Sequence, residues 1–265
     1  MLKTEMRNPK TTHIDQMSPL EIAKVMNEEN AYCVQAVEAE LPQIAKAIDA
    51  CAEGLQKGGR LFYVGAGTSG RLGIVDAAEC PPTFGVSPDM VVGLMAGGLG
   101  AMVNASENRE DDPEASVAEL KEKNLNENDV VVGISAAGGA AYVRNAICYA
   151  KSLGCTTVAI TSNKGSAIDR EADIPICPDT GAEVITGSTR LKAGTAQKLI
   201  LNMLSTGAMI RSGYVYENLM INLKPTNTKL RNRVIRIVSE ITGESEEASE
   251  KRLEKNNWII KEAIK

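Results

Sequence analysis

The sequence predicts an α/β protein, a three-layer α/β/α sandwich built on a parallel sheet. Short apolar runs recur along the middle of the chain, and segments with helical periodicity separate them. Glycine-rich stretches follow two of these runs directly, at 65–70 and 135–139. Strands that alternate with helices pair in parallel through right-handed crossovers, and helices then cover both faces of the sheet. Ligands of such sheets bind at the carboxyl ends of the strands.

Length and composition limit the possible classes of function. The chain has 265 residues, a net charge of -5 and 24% charged residues, which suits one large globular domain or a domain with a small appendage. An acidic chain without a basic tract is a poor partner for nucleic acid or an anionic membrane. No apolar run approaches the roughly 20 residues of a membrane span, and the first residues form no apolar signal segment. We therefore expect a cytoplasmic protein.

Histidine and cysteine are arranged in a way that argues against a metal site. Six cysteines are scattered without any Cys-x-x-Cys pair, and His13 is the single histidine of the chain. Zinc sites and disulfide frameworks need clustered ligands or paired cysteines. His13 lies in a polar N-terminal stretch, where a surface position is expected. We therefore predict no bound metal and no histidine-based triad.

The N-terminal part, residues 1–57, is expected to form an irregular arm followed by helices packed on the core. Ser18-Pro19-Leu20-Glu21 has the pattern of a capping box, with Ser18 at the N-cap and Glu21 at the third helical position. Helical periodicity then continues to about residue 57, as one helix or two.

The central part, residues 58–225, carries the predicted sheet. Five strands are expected at 60–64, 91–95, 130–134, 156–161 and 174–177. Helices are expected at 70–78, where Pro81 and Pro82 end the helix, from Asp112 as N-cap to about 122, and at 141–152 and 189–211. From 226 to 265 the chain is charged and helical, which predicts a short C-terminal tail, either an appendage or an oligomerisation arm.

The first glycine loop has the spacing Gly65-x-Gly67-x-x-Gly70, which also opens dinucleotide-binding folds. That function needs an acidic residue about 20 residues further on, at the end of the second strand. Here that strand ends in Ala-Gly-Gly without a carboxylate. Thr68 and Ser69 instead offer two hydroxyls at a helix N-terminus, which suits a phosphate monoester. We predict phosphate binding by Gly67, Thr68 and Ser69; the alternative is a plain tight turn.

Two carboxylates are candidates for proton transfer. Glu79 comes just before the expected helix stop at Cys80-Pro81-Pro82, where the helix dipole favours the protonated form of a carboxyl. A buried, protonated carboxyl can act as a general acid, although a solvated helix-end glutamate is the simpler interpretation. The charge cluster 107–112 contains Glu110, which qualifies only if the chain returns there to the carboxyl edge of the sheet. Otherwise the cluster is a solvated surface.

A third feature is the sequence Thr-Gly-Ser-Thr-Arg-Leu-Lys at 186–192. Ser188 and Thr189 precede the long predicted helix, and Arg190 and Lys192 fall in its first turn. Cations oppose the helix dipole at that end unless an anion lies between them. The unfavourable position of these cations indicates that a carboxylate or phosphate of a ligand binds between them. The alternative is that the basic side chains simply reach solvent.

At these motifs the chain resembles a known family. The stretches GAGTSGRLG, DAAECPPT and TGSTRLKAGTAQK are similar to those of the N-acetylmuramic acid 6-phosphate etherases, which have the sugar isomerase (SIS) fold. The N-terminal TEMRNPKTTHID and the later VYENLM also resemble that family, and the similarity extends over about residues 4–245. The resemblance implies an enzyme without a cofactor, usually a homodimer, that works on a sugar phosphate.

The resemblance also implies a reaction and its catalytic pair. The family cleaves the lactyl ether of N-acetylmuramic acid 6-phosphate by elimination across C2–C3 of the open-chain sugar, followed by addition of water. Its two catalytic glutamates match Glu79 and Glu110. Because the C1 aldehyde acidifies the C2 proton, a carboxylate base suffices there, and the poor ether leaving group needs an acid. We assign Glu79 as the acid at the lactyl oxygen and Glu110 as the base at C2.

The second glycine loop departs from the family pattern. Ser135 and Gly138 remain and are predicted to bind substrate, but four neighbours differ from a typical Ala-Ser-Gly-Arg-Thr-Pro-Tyr sequence. The replacements are Ala137 for Ser, Gly139 for Arg, Ala140 for Thr and Ala141 for Pro. Lost hydroxyl contacts to a dianion cost about 1.5–3 kcal/mol each. A non-catalytic regulatory protein that binds a sugar phosphate therefore stays open as the alternative, and an aldose–ketose isomerase is disfavoured by the etherase-like motifs.

Overall fold

The computed structural model describes residues 2–104, 108–223 and 225–265. Its main sheet has five strands in the order β2-β1-β3-β4-β5, and every neighbouring pair is parallel. The strands are β1 Leu61–Gly65, β2 Val91–Met95, β3 Val130–Ile134, β4 Thr156–Ile160 and β5 Ile174–Ile176. All five lie where the sequence predicts them, so the predicted parallel sheet is confirmed.

The strand order places a switch point beside β1. From β1 the chain first crosses to β2 on one side, and it later returns to β3 on the other side. Gly65 is paired with Met95 of β2 and with Ile134 of β3, so the three strands end level with one another. The loops that follow β1 and β3 diverge there and leave a crevice, the usual position of a ligand in an open α/β sheet.

Helices cover both faces of the sheet, which confirms the three-layer sandwich. Leu61 and Tyr63 belong to one buried apolar cluster, and Phe62 and Val64 belong to the other, as alternation along a strand requires. The first cluster is covered by α1 Pro19–Glu38, α2 Leu41–Gln56, α3 Gly67–Phe84 and α8 Lys192–Arg211. The second is covered by α5 Ala115–Glu122, α6 Ala141–Ser152 and α7 Ala167–Glu171.

The N-terminal arm is ordered and packed, although its sequence predicts irregular structure. It forms three short 3-10 turns, at Lys3–Glu5, Pro9–Thr11 and Ile14–Gln16. Helix α1 then begins with the predicted capping box, in which the Ser18 hydroxyl accepts from the N–H of Glu21 and the Glu21 carboxylate accepts from the N–H of Ser18. The helical N-terminal segment is therefore confirmed, as two helices.

Helix α3 is longer than predicted at both ends. It begins at Gly67 and continues through Pro81 and Pro82 to Phe84. Proline removes a backbone N–H and crowds the preceding turn, but Phe84 belongs to the apolar core, and its burial favours the extra turn. Gly85, at φ 64°, ends the helix and donates its N–H to the Pro81 carbonyl at 2.9 Å. The predicted stop at the prolines is wrong.

The remaining elements extend this frame. A one-turn helix, α4 Gly100–Val103, follows β2, and a two-stranded ribbon, β6 Val215–Tyr216 with β7 Leu219–Met220, follows α8. The predicted helical tail is confirmed as α9 Thr228–Thr242, α10 Glu246–Lys255 and α11 Ile260–Ala263, which surround their own apolar cluster. Among the described residues, no helix is long and apolar enough to cross a lipid bilayer.

Candidate functional site

A cavity of about 230 Å³ opens at the carboxyl edge of the sheet, beside the switch point. The loops after β1 and β3 form two of its walls, and three other parts of the chain complete it. Its lining residues are Glu5, Ala66, Gly67, Thr68, Ser69, Glu110, Ile134, Ser135, Ala136, Ala137, Gly187 and Thr189. Six predicted site residues, Gly67, Thr68, Ser69, Glu110, Ser135 and Thr189, therefore share one cavity, which we call the edge cavity.

The N-terminus of α3 gives the edge cavity an anion-binding wall. Gly67 takes a left-handed φ of 54° that favours glycine. A Cβ on Gly65 would stand 2.6 Å from the backbone nitrogen of Gly70, so the helix can start this close to the strand only with glycine there. The first N–H groups of a helix have no intrahelical acceptors and lie at the positive end of its dipole. An anionic ligand group is favoured at this wall.

The hydroxyl groups of Thr68 and Ser69 on this wall differ in whether they can donate a hydrogen bond to a ligand. Ser69 is 7% exposed, and its Oγ–H donates to the Gln197 side-chain oxygen at 3.0 Å. The Ser69 hydroxyl proton is therefore already used in a hydrogen bond to α8, and the Ser69 oxygen can only accept a hydrogen bond from a ligand. Thr68 is half-buried at the cavity surface. Thr68 is consequently the better hydroxyl donor for a bound phosphate.

The loop after β3 contributes Ser135 to the opposite wall. The Ser135 Oγ accepts the N–H of Gly138 at 3.1 Å, which leaves the hydroxyl proton free for a ligand. Gly138 has a φ of 74°, and a Cβ there would stand 2.1 Å from Ser166 Oγ. Gly138 does not line the edge cavity, and its left-handed backbone shapes the loop that carries Ser135. Ala137 does line it, at the position where the family that the sequence resembles typically has a serine.

Glu110 reaches the edge cavity because its loop is tied to the start of α6. The Glu110 carbonyl accepts the N–H of Tyr142 at 3.0 Å, and Tyr142 is fully buried in the core. The chain thus returns to the carboxyl edge of the sheet at Glu110, which is the condition that the sequence leaves open. The Glu110 side chain is exposed at the cavity. The neighbouring Glu107 lies outside the described residues.

Glu79 lies in a different cavity, about 210 Å³ in volume, between α3 and α8. Ten residues of helix separate it from Ser69, a distance of about 15 Å along the axis. Its side chain is exposed, and because α3 continues to Phe84, Glu79 does not lie at the end of the helix as predicted. Asp76 lines the same cavity, where burial raises the pKa of its carboxyl and Tyr63 donates a hydrogen bond at 2.9 Å.

The two predicted cations at the start of α8, Arg190 and Lys192, do not line the edge cavity. Lys192 is 2% exposed, and its ammonium group contacts the Glu29 carboxylate at 2.7 Å. The backbone N–H of Lys192 donates to Glu183, which is fully buried. The anion expected beside Lys192 is therefore a carboxylate of the protein itself, and Lys192 does not line the edge cavity. Ser188 and Arg190 lie in the turn before α8 and do not line the cavity.

Sequence reasoning missed Glu5, which the structure places in the edge cavity with Glu110. The N-terminal arm brings it there from the far end of the chain. A pattern signal was present, because Glu5 falls within the Thr-Glu-Met-Arg-Asn-Pro stretch that carries the family resemblance. Periodicity could not detect it, since the arm contains neither a long helix nor a strand.

Comparison with known proteins identifies the family. Residues 43–151 match the model of the glucokinase regulatory protein N-terminal SIS domain, and residues 115–207 match the SIS domain. An N-acetylmuramic acid 6-phosphate etherase from Clostridium beijerinckii is 52% identical over 263 residues, which cover 99% of this chain and 86% of the relative. The chain belongs to the N-acetylmuramic acid 6-phosphate etherase family. A second family member, etherase 2 of Vibrio parahaemolyticus, is 54% identical, with 99% and 88% coverage.

Solved structures share the fold of this etherase family member at low sequence identity. A phosphoheptose isomerase from Francisella tularensis has a TM-score of 0.56 and 19% identity, and the match covers 73% of this chain and all of that one. The Vibrio vulnificus NanR protein, complexed with ManNAc-6P, has a TM-score of 0.51 and 14% identity, with 72% and 63% coverage. These two structures support the SIS fold alone.

Proposed function

We propose that this chain cleaves the D-lactyl ether of N-acetylmuramic acid 6-phosphate and releases N-acetylglucosamine 6-phosphate and D-lactate. The observation that carries the proposal is the placement of Glu110 in one cavity with an anion-binding helix N-terminus and the hydroxyls of Thr68 and Ser135. A carboxylate base and a phosphate-binding site within reach of one sugar are what the reaction needs. The named etherases at 52% and 54% identity support the same activity.

In the proposed complex the sugar phosphate binds at the start of α3. No lysine or arginine is among the residues that line the edge cavity in the described part of the chain. Backbone N–H groups and hydroxyls must therefore hold the dianion, as they do at other helix N-termini. Ala137 lacks a hydroxyl that would add to this set, and one such contact is worth about 1.5–3 kcal/mol. We expect a high half-saturating substrate concentration.

The chemistry begins at C2 of the open-chain sugar. Glu110 removes the C2 proton, which the C1 aldehyde acidifies, and the C2–C3 double bond forms as the C3–O bond breaks. Glu79, as general acid, gives a proton to the departing lactyl oxygen, so this oxygen leaves as the hydroxyl group of D-lactate and not as an alkoxide. Water then adds at C3 of the unsaturated aldehyde and a proton returns to C2, which gives N-acetylglucosamine 6-phosphate. Two carboxyls in opposite protonation states can serve both half-reactions.

The separation of the two glutamates favours a homodimer in which each active site is shared. Within one chain, about 15 Å of helix lies between the phosphate-binding end of α3 and Glu79, too far for one sugar to contact both. We propose that Glu79 of the partner subunit meets the edge cavity. Val75, one turn before Glu79, is 41% exposed, and Leu20 and Val34 of α1 are 64% and 59% exposed. Helices α1 and α3 both pack on α8. Their exposed apolar side chains are available for contact with a partner subunit.

We also infer a cytoplasmic site of action, because phosphorylated sugars are too polar to cross a bilayer unaided.

The deciding experiment measures D-lactate release from N-acetylmuramic acid 6-phosphate with a coupled lactate dehydrogenase assay over a wide substrate range. Saturable release supports the etherase. Folded protein that binds the sugar phosphate and releases no lactate would contradict it and would favour a regulatory protein of the same fold.

A further inference from the structure

The carboxylate of Glu5 lies in the same cavity as Glu110, although the two residues belong to distant parts of the chain. The N-terminal arm carries Glu5 to a position beside Gly187. A Cβ on Gly187 would stand only 3.1 Å from Glu5 Oε2, and Gly187 has a left-handed φ of 74°. The turn before α8 therefore leaves room for the Glu5 side chain at the cavity wall.

Buried contacts fix the backbone on the N-terminal side of Glu5. Thr4 is fully buried, and its Oγ1 accepts from the Asn163 side-chain amide at 3.1 Å. The N–H of Lys3 donates to the Asn163 oxygen at 3.0 Å. The Thr4 carbonyl accepts the N–H of Gly187 at 3.3 Å. Asn163 lies three residues after the end of β4, so the arm is attached to the carboxyl edge of the sheet immediately before Glu5.

A second anchor fixes the arm on the C-terminal side of Glu5. Asn8 is 6% exposed and donates to Glu29 Oε2 at 2.8 Å, and it also contacts the Ala182 carbonyl at 3.3 Å. Lys10 donates to Glu29 Oε1 at 2.9 Å. Anchors on both sides fix the backbone at Glu5, so its exposed side chain remains beside the edge cavity.

Glu5 differs from the nearby carboxylates of Glu29 and Glu183 in the partners that the protein gives it. Among the described residues, no donor makes a hydrogen bond or ion pair to its two carboxylate oxygens. Glu29 accepts from three side chains, and Glu183 accepts from the backbone N–H groups of Lys192 and Ala193. A carboxylate held at a cavity wall without an internal partner is available to the donors of a ligand.

We propose that Glu5 is a substrate-binding residue whose carboxylate accepts hydrogen bonds from hydroxyl groups or the acetamido N–H of the open-chain sugar. The proposal rests on the proposed function of the same cavity. A carboxylate repels the phosphate dianion, so the phosphate must lie at the start of α3 and the donor-bearing carbons must face Glu5. Glu5 thereby orients the C2 proton relative to Glu110, and the lactyl carboxylate of the substrate must face away from Glu5.

The test compares Glu5→Ala and Glu5→Gln with Asp15→Asn, which removes a charge from an exposed position of the same arm outside the cavity. Calorimetry measures binding of N-acetylglucosamine 6-phosphate, and the lactate assay measures KM and kcat. Loss of a hydrogen bond to a charged group predicts binding about tenfold to a hundredfold weaker in Glu5→Ala. The KM of Glu5→Ala should rise in parallel, and its kcat should change less. Glu5→Gln should weaken binding less than Glu5→Ala does. Asp15→Asn should bind and turn over substrate like the wild type.

The outcomes separate this proposal from the proposed function. Unchanged binding and KM in Glu5→Ala, with a wild-type circular dichroism melting curve, would overturn the role of Glu5. Loss of kcat with unchanged product binding would also overturn it, because Glu5 would then act in proton transfer. Wild-type protein that binds the product but releases no lactate would instead overturn the etherase, and weaker binding by Glu5→Ala would still support Glu5 as a ligand contact.

Discussion

At the scale of single residues, substitutions of Glu110 and Glu79 are expected to block different steps of the reaction. Glu110→Gln keeps the size of the side chain but cannot take the C2 proton, so we expect both lactate release and C2 deuterium exchange in D₂O to fall by about 10²–10⁴-fold. Glu79→Gln removes the proposed acid at the lactyl oxygen. It should lose lactate release to a similar extent while C2 exchange persists.

Proton NMR of the substrate follows the C2 exchange, and the coupled assay follows lactate. Asp89→Asn, an exposed substitution in the loop after α3 and outside both cavities, provides the control. Persistent exchange in Glu110→Gln, or full lactate release in either glutamine variant, would contradict the assigned roles.

The two hydroxyls at the start of α3 give a second residue-scale contrast. Thr68 is free to donate to the phosphate, whereas the Ser69 hydroxyl proton is already used in its hydrogen bond to Gln197. Thr68→Ala should therefore raise the half-saturating substrate concentration about tenfold or more. Ser69→Ala should affect binding less, and it should lower the free energy of unfolding by about 1 kcal/mol, because it leaves buried Gln197 without that partner. Steady-state kinetics and urea unfolding of the two variants measure these effects. A larger loss of substrate binding in Ser69→Ala than in Thr68→Ala would exclude Thr68 as the main donor.

At the scale of elements, one buried ion pair joins the arm, α1 and α8. Burial opposes ionisation of Glu29, but hydrogen bonds from Lys192, Lys10 and Asn8 outweigh it and lower its pKa to about 2. Glu29→Gln leaves Lys192 buried without a countercharge, which should cost about 3–5 kcal/mol in the free energy of unfolding. Urea unfolding at pH 7 measures the loss, with Glu28→Gln on the exposed side of α1 as the control.

The same pair predicts a pH dependence with a defined sign. Because the pKa of Glu29 is lower in the folded protein than its ordinary 4.5, its stabilising contribution is fully present above about pH 4.5 and is lost as the pH falls towards 2. The stability difference between wild type and Glu29→Gln should shrink across that range. A difference that stays constant down to pH 2 would show that the pair does not depend on the charge of Glu29.

The elements also show what the sequence can and cannot predict. Alternating strands and helices, the capping box at Ser18 and the hydroxyls after Gly67 follow from local pattern, and all of these features are present. The continuation of α3 past Pro81 depends on the burial of Phe84 against distant helices. The capping of α8 depends on Glu183, whose carboxylate accepts from its first N–H groups. Tertiary contacts decide both, and no local pattern encodes them.

At the scale of the whole molecule, the sheet explains which predicted residues meet. Strands β1 and β3 are neighbours although about 65 residues separate them in the sequence, and their following loops place Gly67 and Ser135 on one cavity. Spacing along the chain could not show that Glu110 joins them and that Glu79 does not. The arm adds Glu5 through contacts with residues more than 150 positions away. The composition of the site is therefore a property of the complete fold.

The proposed shared active site makes a prediction that only the assembly can test. In the proposed homodimer, Glu79→Gln and Glu110→Gln should each inactivate every site when present on both subunits. In a mixed dimer with sites shared across the interface, one site combines both substituted residues and the other combines both native ones. Random exchange of subunits should then restore about a quarter of the wild-type lactate release.

The experiment mixes the two inactive proteins, exchanges their subunits in mild denaturant and measures lactate release after refolding. Light scattering establishes that the species is a dimer, and each variant treated alone provides the background. If both glutamates acted within one chain, every site in the mixed dimer would still lack one of them, and no activity would return. Recovery near a quarter would place Glu79 and Glu110 of one site on different subunits, because no arrangement within one chain can regenerate a complete pair.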